Sequence, residues 1–282
     1  MITPQIRAWI GLLPSRLYYG LDTLVGVLTG QACPNCATPG DENRSVLIRH
    51  LGVTRIRECN ACGLLYRPVG FPGGKLLQFY YSYLYTEAGV ATTVALSSNS
   101  PELRRRMSEE GKDRSEIVAA LLDRRPARVC VLGCSWGYEL LPLAALGCDV
   151  FGIELSKTRR DYGRRTLGLR IHGSVRDAGR AEGPVDVLIS SHILEHVPRL
   201  TGLLTEIQST IRPRVQVHIT PAVDAVGTDA ASSTIIGREH PIGLTRLFWE
   251  RLASCLGLLA TVSIRGAVPG QSCGESIAIL RA

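Results

Sequence analysis

Arg128-Val-Cys-Val-Leu-Gly133-Cys134-Ser135-Trp136-Gly137 is a short apolar run that ends in a glycine-containing turn and opens a helical stretch. Glycines at 133 and 137 let the backbone approach a ligand closely, because no Cβ stands in the way. The next apolar run ends at Glu154, 21 residues beyond Gly133. In dinucleotide-type folds a carboxylate at that point bonds ribose hydroxyls. A pyrophosphate favours G-x-G-x-x-G, so that its oxygens reach a helix terminus. Here Ser135 replaces the middle glycine, Trp136 follows and no third glycine comes after Gly137. A nucleoside without phosphates tolerates such a loop; a nicotinamide dinucleotide has little reason to prefer it.

Strands alternate with helices outward from this point. Arg128–Gly133 and Cys148–Ile153 flank the helical stretch Tyr138–Leu146, and Val185–Ser190 and Val215–Thr220 read as strands, with a weaker one at Leu169–His172. Leu203–Ile211 supplies a helix before Val215. Leu258–Arg265 and Ser276–Arg281 are two consecutive strands around a Gly/Pro-containing turn. The pattern predicts an α/β fold: a doubly wound, seven-stranded, mostly parallel sheet with an antiparallel edge hairpin. Upstream, Glu102–Asp123 reads as an amphipathic helix with Ile117, Ala120 and Leu121 on its apolar side. The predicted organisation is a helical segment over 1–30, a ribbon over 31–72, a connecting segment over 73–111 and the main domain over 112–282.

The ribbon rests on Cys33-Pro-Asn-Cys36 and Cys59-Asn-Ala-Cys62-Gly63, with 22 residues between the pairs. Each pair sets two thiolates on one tight turn, and two such turns supply the four-sulfur shell that zinc favours. Iron fits the same sulfur geometry, and a redox pair is the other reading. A shell closed by four thiolates is structural. The intervening loop has Arg44, Arg49, His50, Arg55 and Arg57 but no aromatic to stack bases. The other five cysteines are scattered, which points to a reducing compartment rather than a disulfide framework.

Gly133-Cys-Ser-Trp-Gly-Tyr138, Gly152-Ile-Glu154-Leu-Ser156 and Ser190-Ser-His-Ile-Leu-Glu-His196-Val-Pro198 together resemble the class I S-adenosylmethionine-dependent methyltransferases. More narrowly the chain is similar to a bacterial branch with an N-terminal zinc ribbon, associated with sugar, polysaccharide or secondary-metabolite modification. Glu239-His240-Pro241, Leu244-Thr245 and Phe248-Trp249 share the resemblance, which covers residues 30–282. It implies that Gly133, Cys134, Ser135 and Gly137 line the methionine part of the cofactor and that Glu154 holds the ribose. Leu155 and Ser156 would stand beside the adenine, Ser174 and Val175 at its edge, and Ser190, Ser191 and His192 toward the sulfonium. Two positions depart from the family pattern: Val131 stands where an acidic residue is usual, and Ser174 where aspartate is frequent. Both remove polar anchors, and Asp177 is a candidate substitute.

Methyl transfer to a hydroxyl gains from a base, and histidine suits that role. His192, just past the strand Val185–Ser190, the fourth when the weaker one is counted, is the first candidate and His240 the second. The plainer readings are a backbone-positioning residue for His192, a turn residue before Pro241 for His240, and a cap or packing pair for Glu195–His196. The long segment Pro221–His240 reads as a lid over the acceptor.

The chain has 282 residues, 45% hydrophobic and 20% charged, with formal charge +7 and pI about 9.1. No run of 18 uncharged apolar residues and no convincing signal peptide occur, so a cytoplasmic protein is expected. Positive charge attracts anions without choosing among them. Trp9, Leu13, Leu17, Leu21, Leu24 and Leu28 form a helical stripe within residues 5–28. It packs on the protein's own domains or touches a membrane surface or partner. The expected activity is methylation of a small molecule such as a sugar, glycolipid precursor or secondary metabolite. The alternatives are a non-catalytic cofactor-binding scaffold, suggested by Val131 and Ser135, and a nucleic-acid methyltransferase. Against the last, Ser190-Ser-His-Ile stands where base-methylating enzymes carry an aromatic-plus-proline tetrapeptide.

Overall fold

The structure is a computed structural model that describes residues 17, 20–21, 24–26, 28, 32–49, 54–68, 101–121, 127–223, 236, 240–266 and 274–281. Its contacts divide the chain into two compact units. One comprises Tyr81–Ser191 and Thr205–Val217; the other comprises Met1–Tyr80, His192–Leu204 and His218–Ala282.

The first unit carries the parallel core. Strands β4 (Arg128–Leu132), β5 (Asp149–Ile153), β6 (Ile171–His172) and β7 (Val187–Ser191) pair in parallel as β6-β5-β4-β7. β4, β5 and β7 each have four consecutive buried residues, the mark of strands covered on both faces. α1 (Pro101–Leu121) precedes them, α2 (Leu140–Ala145), α3 (Lys157–Leu167) and α4 (Val175–Glu182) run between them, and α5 (Leu200–Thr210) precedes β8 (Val215–Pro221). Ser156 caps α3 by accepting from the Arg159 amide, and Gly168, left-handed at φ 67°, ends it. Ser174 caps α4 in the same way through the Asp177 amide.

The complete sheet has seven strands in the order β10-β11-β8-β7-β4-β5-β6. The strand order reverses between β4 and β7, which in open α/β sheets is where ligands bind, outside the carboxyl ends. β10 (Leu259–Arg265) and β11 (Glu275–Arg281) form the expected antiparallel edge hairpin.

The second unit has its own small sheet, β1 (Arg44–Arg49), β2 (Thr54–Glu58), β3 (Leu65–Tyr66) and β9 (Ile242–Gly243), in that order and antiparallel throughout. β9 thus joins a sheet whose other strands lie about 180 residues earlier. Helix α6 (Arg246–Cys255) follows it, capped by Thr245, whose Oγ1 accepts from the Phe248 amide and donates to Gly63 O at 2.8 Å.

Two expectations need correction. On α1 the buried stripe is Met107, Gly111, Arg114, Ser115 and Val118; Ala120 is exposed, and Ile117 and Leu121 are only half-buried. The buried positions recur at four, seven, eight and eleven residues from Met107, and Ala120 falls off that stripe. Of the N-terminal stripe, Leu17, Leu21, Leu24 and Leu28 are exposed, so own-domain packing does not cover these four. Most of the expected connecting segment 73–111 and of the predicted lid lies outside the described residues.

Candidate functional site

The turn after β4 is shaped by three left-handed residues: Gly133 (φ 75°), Ser135 (φ 51°) and Gly137 (φ 92°). It folds back on β5, because the Gly133 and Cys134 amides both donate to Ile153 O, at 2.7 and 3.2 Å. The next residue, Glu154, ties the turn down. Its Oε2 accepts from the Ser135 amide at 2.9 Å and its Oε1 from the Ser156 amide at 2.7 Å. Burial raises the Glu154 pKa, opposed by those amides and by the Arg159 and Arg160 guanidiniums. A carboxylate has about four lone-pair sites, so after these two amides it keeps capacity for a diol.

The remaining cofactor candidates stand at the same edge of the parallel sheet. Leu155 is exposed, and Ser156 is buried with its hydroxyl on the Arg159 amide. Ser174 and Val175 open α4 directly after β6, the Ser174 hydroxyl accepting from the Asp177 amide at 3.1 Å. Asp177 is exposed in the first turn of that helix. Ser190 is fully buried and lies beside Leu132 in the β4–β7 register. Ser191 Oγ accepts from Arg114 Nη2 at 2.9 Å.

Side chains refine the picture. Cys134 is fully buried and its sulfur turns toward Gly152, so only its backbone faces the turn's concave side. Trp136 points inward to an edge-on contact with Tyr162, centroids 5.3 Å apart, while the Tyr138 and Tyr162 hydroxyls meet at 2.6 Å. Two arginines escaped the sequence reading. Arg159 reaches Ser135 Oγ at 3.3 Å and stands 5.8 Å from the Trp136 ring centre. Arg114 is buried on α1. Its place on the stripe through Met107 and Gly111 was the available signal, hidden by the polar residues around it.

In the second unit, His192 follows the end of β7 with φ 52°. Its Nε2 lies 2.9 Å from Glu275 Oε1 and its Nδ1 3.4 Å from Glu195 Oε1. Glu275, itself fully buried, also pairs with Arg265. Burial works against the imidazolium, but hydrogen bonding and charge from Glu195 and Glu275 outweigh it and raise the His192 pKa to about 9. Glu195 lies in the 3-10 turn Leu194–His196 and is 1% exposed. Burial pushes its carboxyl up, yet His192, His196 and His240 hold it below the usual carboxylate range. The His196 and His240 rings meet edge to face at 4.7 Å between centroids. His218 is different in kind: stacked on Trp249, it is driven down to about 3 by burial and is a neutral core residue.

The four ribbon cysteines gather in the same unit, their sulfurs all within 4.8 Å of one another. Cys33 and Cys62 sulfurs are 3.6 Å apart, and those of Cys36 and Cys59 3.5 Å. Metal–sulfur bonds of about 2.3 Å place the corners of a tetrahedral shell about 3.8 Å apart, whereas a disulfide needs about 2.0 Å. The donor set therefore fits a thiophilic four-coordinate ion. Gly63 (φ 77°) turns the second pair; a Cβ there would press on Leu247 and the Phe248 amide at 3.0 Å. Hydrogen bonding from Cys33 lowers the Cys62 thiol to about 5.

A parallel sheet reversing between β4 and β7, with a left-handed turn tied to an acidic residue at the end of β5, defines a nucleoside-binding enzyme of the Rossmann-like methyltransferase class. Residues 102–247, just over half the chain, match the family described as "Methyltransferase domain", and the chain belongs to that family as an S-adenosylmethionine-dependent methyltransferase. Among solved structures it is similar to magnesium protoporphyrin IX methyltransferase from Synechocystis PCC 6803 with bound S-adenosylhomocysteine. That similarity has 14% identity and a TM-score of 0.52, over 73% of this chain and 99% of that one. It is also similar to the plantazolicin methyltransferase BpumL in complex with a pentazolic analogue and S-adenosylhomocysteine. Here identity is 11% and the TM-score 0.52, over 73% of this chain and 94% of that one. At such identities these likenesses speak for the fold alone. No curated protein matches the chain.

Proposed function

We propose that the chain methylates a hydroxyl oxygen of a small molecule, namely a sugar, glycolipid precursor or secondary metabolite. The observation that carries this reading is His192, a histidine directly after β7 whose Nε2 is anchored on buried Glu275. Carbon acceptors already nucleophilic need no such base, whereas a hydroxyl does. When bound, S-adenosylmethionine supplies a sulfonium methyl, an electrophile that needs no further activation. Gly133, Cys134, Ser135 and Gly137 would hold its methionine part through backbone, and Glu154 would grip the ribose diol. Leu155, Ser156, Ser174 and Val175 border the adenine, and Ser190 and Ser191 the sulfonium end. With that group bound, His192 would accept the hydroxyl proton of the acceptor as its oxygen takes the methyl, Nε2 remaining on Glu275. His240 is the second candidate for the base.

The cysteine cluster is proposed to hold structural zinc through Cys33, Cys36, Cys59 and Cys62, and their proximity supports membership of the ribbon-bearing branch. The exposed leucines at 17, 21, 24 and 28, with the net charge of +7, support peripheral contact with an anionic membrane surface. Among the described residues no helix is long and apolar enough to cross a membrane.

The test is incubation with methyl-labelled cofactor and a fractionated cell extract, followed by mass spectrometry of what gains a methyl group. A methylated hydroxyl compound, lost with His192→Ala, is expected. Label confined to nucleic acid, or full turnover in both His192→Ala and His240→Ala, overturns the acceptor class or the base.

A further inference from the structure

We propose that Glu195, His196 and His240 form a binding site for one divalent transition-metal ion, separate from the four-cysteine cluster. The argument starts from Glu195. Its side chain is 1% exposed, and its partner is a distant one, His192 Nδ1 at 3.4 Å from Oε1. A buried carboxylate held this loosely gains from a closer cation.

Two imidazoles face it. The 3-10 turn puts His196 next to Glu195, and the chain entering β9 brings His240 from 44 residues away. One donor atom from each of the three residues lies within 4.8 Å of the others. An ion about 2.0–2.2 Å from each donor holds them about 3.0–3.5 Å apart, so the side chains close by about 1–2 Å, within the reach of rotamer adjustment. His192, anchored on Glu275, backs the carboxylate from the side, as outer partners of metal ligands do.

The donor chemistry selects the ion. Two imidazoles and one carboxylate suit Mn²⁺, Fe²⁺ or Zn²⁺, and three protein ligands leave positions open, unlike the closed thiolate shell of the ribbon. An open position takes water or an acceptor oxygen, whose proton the ion makes more acidic. That use rests on the hydroxyl-methylation reading; the binding of the ion does not.

Mn²⁺ tests the site because it is too hard to displace a thiolate-bound ion. Purified full-length protein, cleared of weakly bound ions by brief EDTA treatment and retaining its cysteine-bound metal, is titrated with Mn²⁺. Loss of the free-ion electron paramagnetic resonance signal reports binding. One saturable Mn²⁺ per chain is expected, with nitrogen modulations from two imidazoles in pulsed spectra. Glu195→Gln and His240→Ala should each weaken binding by more than about 100-fold, since even outer-shell changes cost about 10–100-fold; Asp161→Asn, on helix α3 and paired with Lys157, should not. Absence of a saturable site, or bound Mn²⁺ without imidazole nitrogen, overturns the proposal, and the pulsed spectrum decides on the wild type even if Glu195→Gln fails to fold. S-adenosylhomocysteine binding, measured separately on the same preparation, tells loss of the metal site from failure of the methyltransferase reading.

Discussion

Replacing Gly152 by alanine tests whether the cofactor turn is held by close packing on β5. A Cβ at this position would lie 2.3 Å from Cys134 Sγ and 3.0 Å from Cys134 Cβ. Unstrained contacts between such atoms need about 3.5–4.0 Å, so the sulfur must retreat by more than about 1 Å. Cys134 is fully buried, which leaves its side chain nowhere to swing, and the displacement passes into the turn. Overpacking of this kind costs about 1–3 kcal/mol. The same displacement pulls at the Cys134 amide, already 3.2 Å from Ile153 O, so cofactor affinity falls with stability. Urea unfolding and calorimetric titration with S-adenosylhomocysteine measure the two effects. Cys134→Ala removes the obstructing sulfur, and in the double variant most of the loss should return, a coupling of about 1–2 kcal/mol. Strictly additive single changes, or a Gly152→Ala variant as stable as wild type, would refute the packing argument.

Further expectations follow from other contacts. Arg114→Leu, which deprives Ser191 of a buried donor, should cost about 1–3 kcal/mol in urea unfolding. His192 has an unfolded pKa near 6.5 and a folded one of about 9. Its contribution is therefore full below pH 6.5 and lost as pH rises through 9, about 3 kcal/mol in all relative to His192→Gln. Matching pH dependences for wild type and variant would refute that. The neutral, proton-accepting form grows over the same interval, so turnover should climb toward pH 9 where stability declines. Cys59→Ser should release the cysteine-bound ion to a chromophoric chelator and make the β1–β2–β3 region protease-sensitive, leaving the parallel strands of the first unit in place.

Much of this architecture was legible because its signals are local. The buried runs at β4, β5 and β7 and the hairpin β10–β11 are continuous apolar stretches, read to within two residues. The paired cysteines declare themselves by spacing. What escaped notice depends on distant partners. Helix α3, Lys-Thr-Arg-Arg-Asp-Tyr-Gly-Arg-Arg-Thr-Leu, has too few apolar side chains to show periodicity. It packs through Gly163, where a Cβ would meet Ile171 Cδ1 at 2.4 Å. β9 is two residues long and exists because β3, far upstream, offers it an edge. At the site, Glu154 was foreseen as a ligand for the diol, but its grip on the Ser135 and Ser156 amides was not. The carboxylates around His192 come from Glu195 and from Glu275, 83 residues on, a meeting that no spacing rule encodes.

The central claim is that the turn after β4 and the carboxylate of Glu154 hold an adenosyl group. Calorimetric titration of wild type and Glu154→Gln with S-adenosylhomocysteine, and of wild type with NAD⁺, addresses it most directly. One-site binding to the wild type is expected, weakened at least about tenfold in the variant by loss of one charge-assisted hydrogen bond, with no heat from NAD⁺. Unchanged affinity in Glu154→Gln, or a folded wild type that binds NAD⁺ in preference to S-adenosylhomocysteine, would contradict the account.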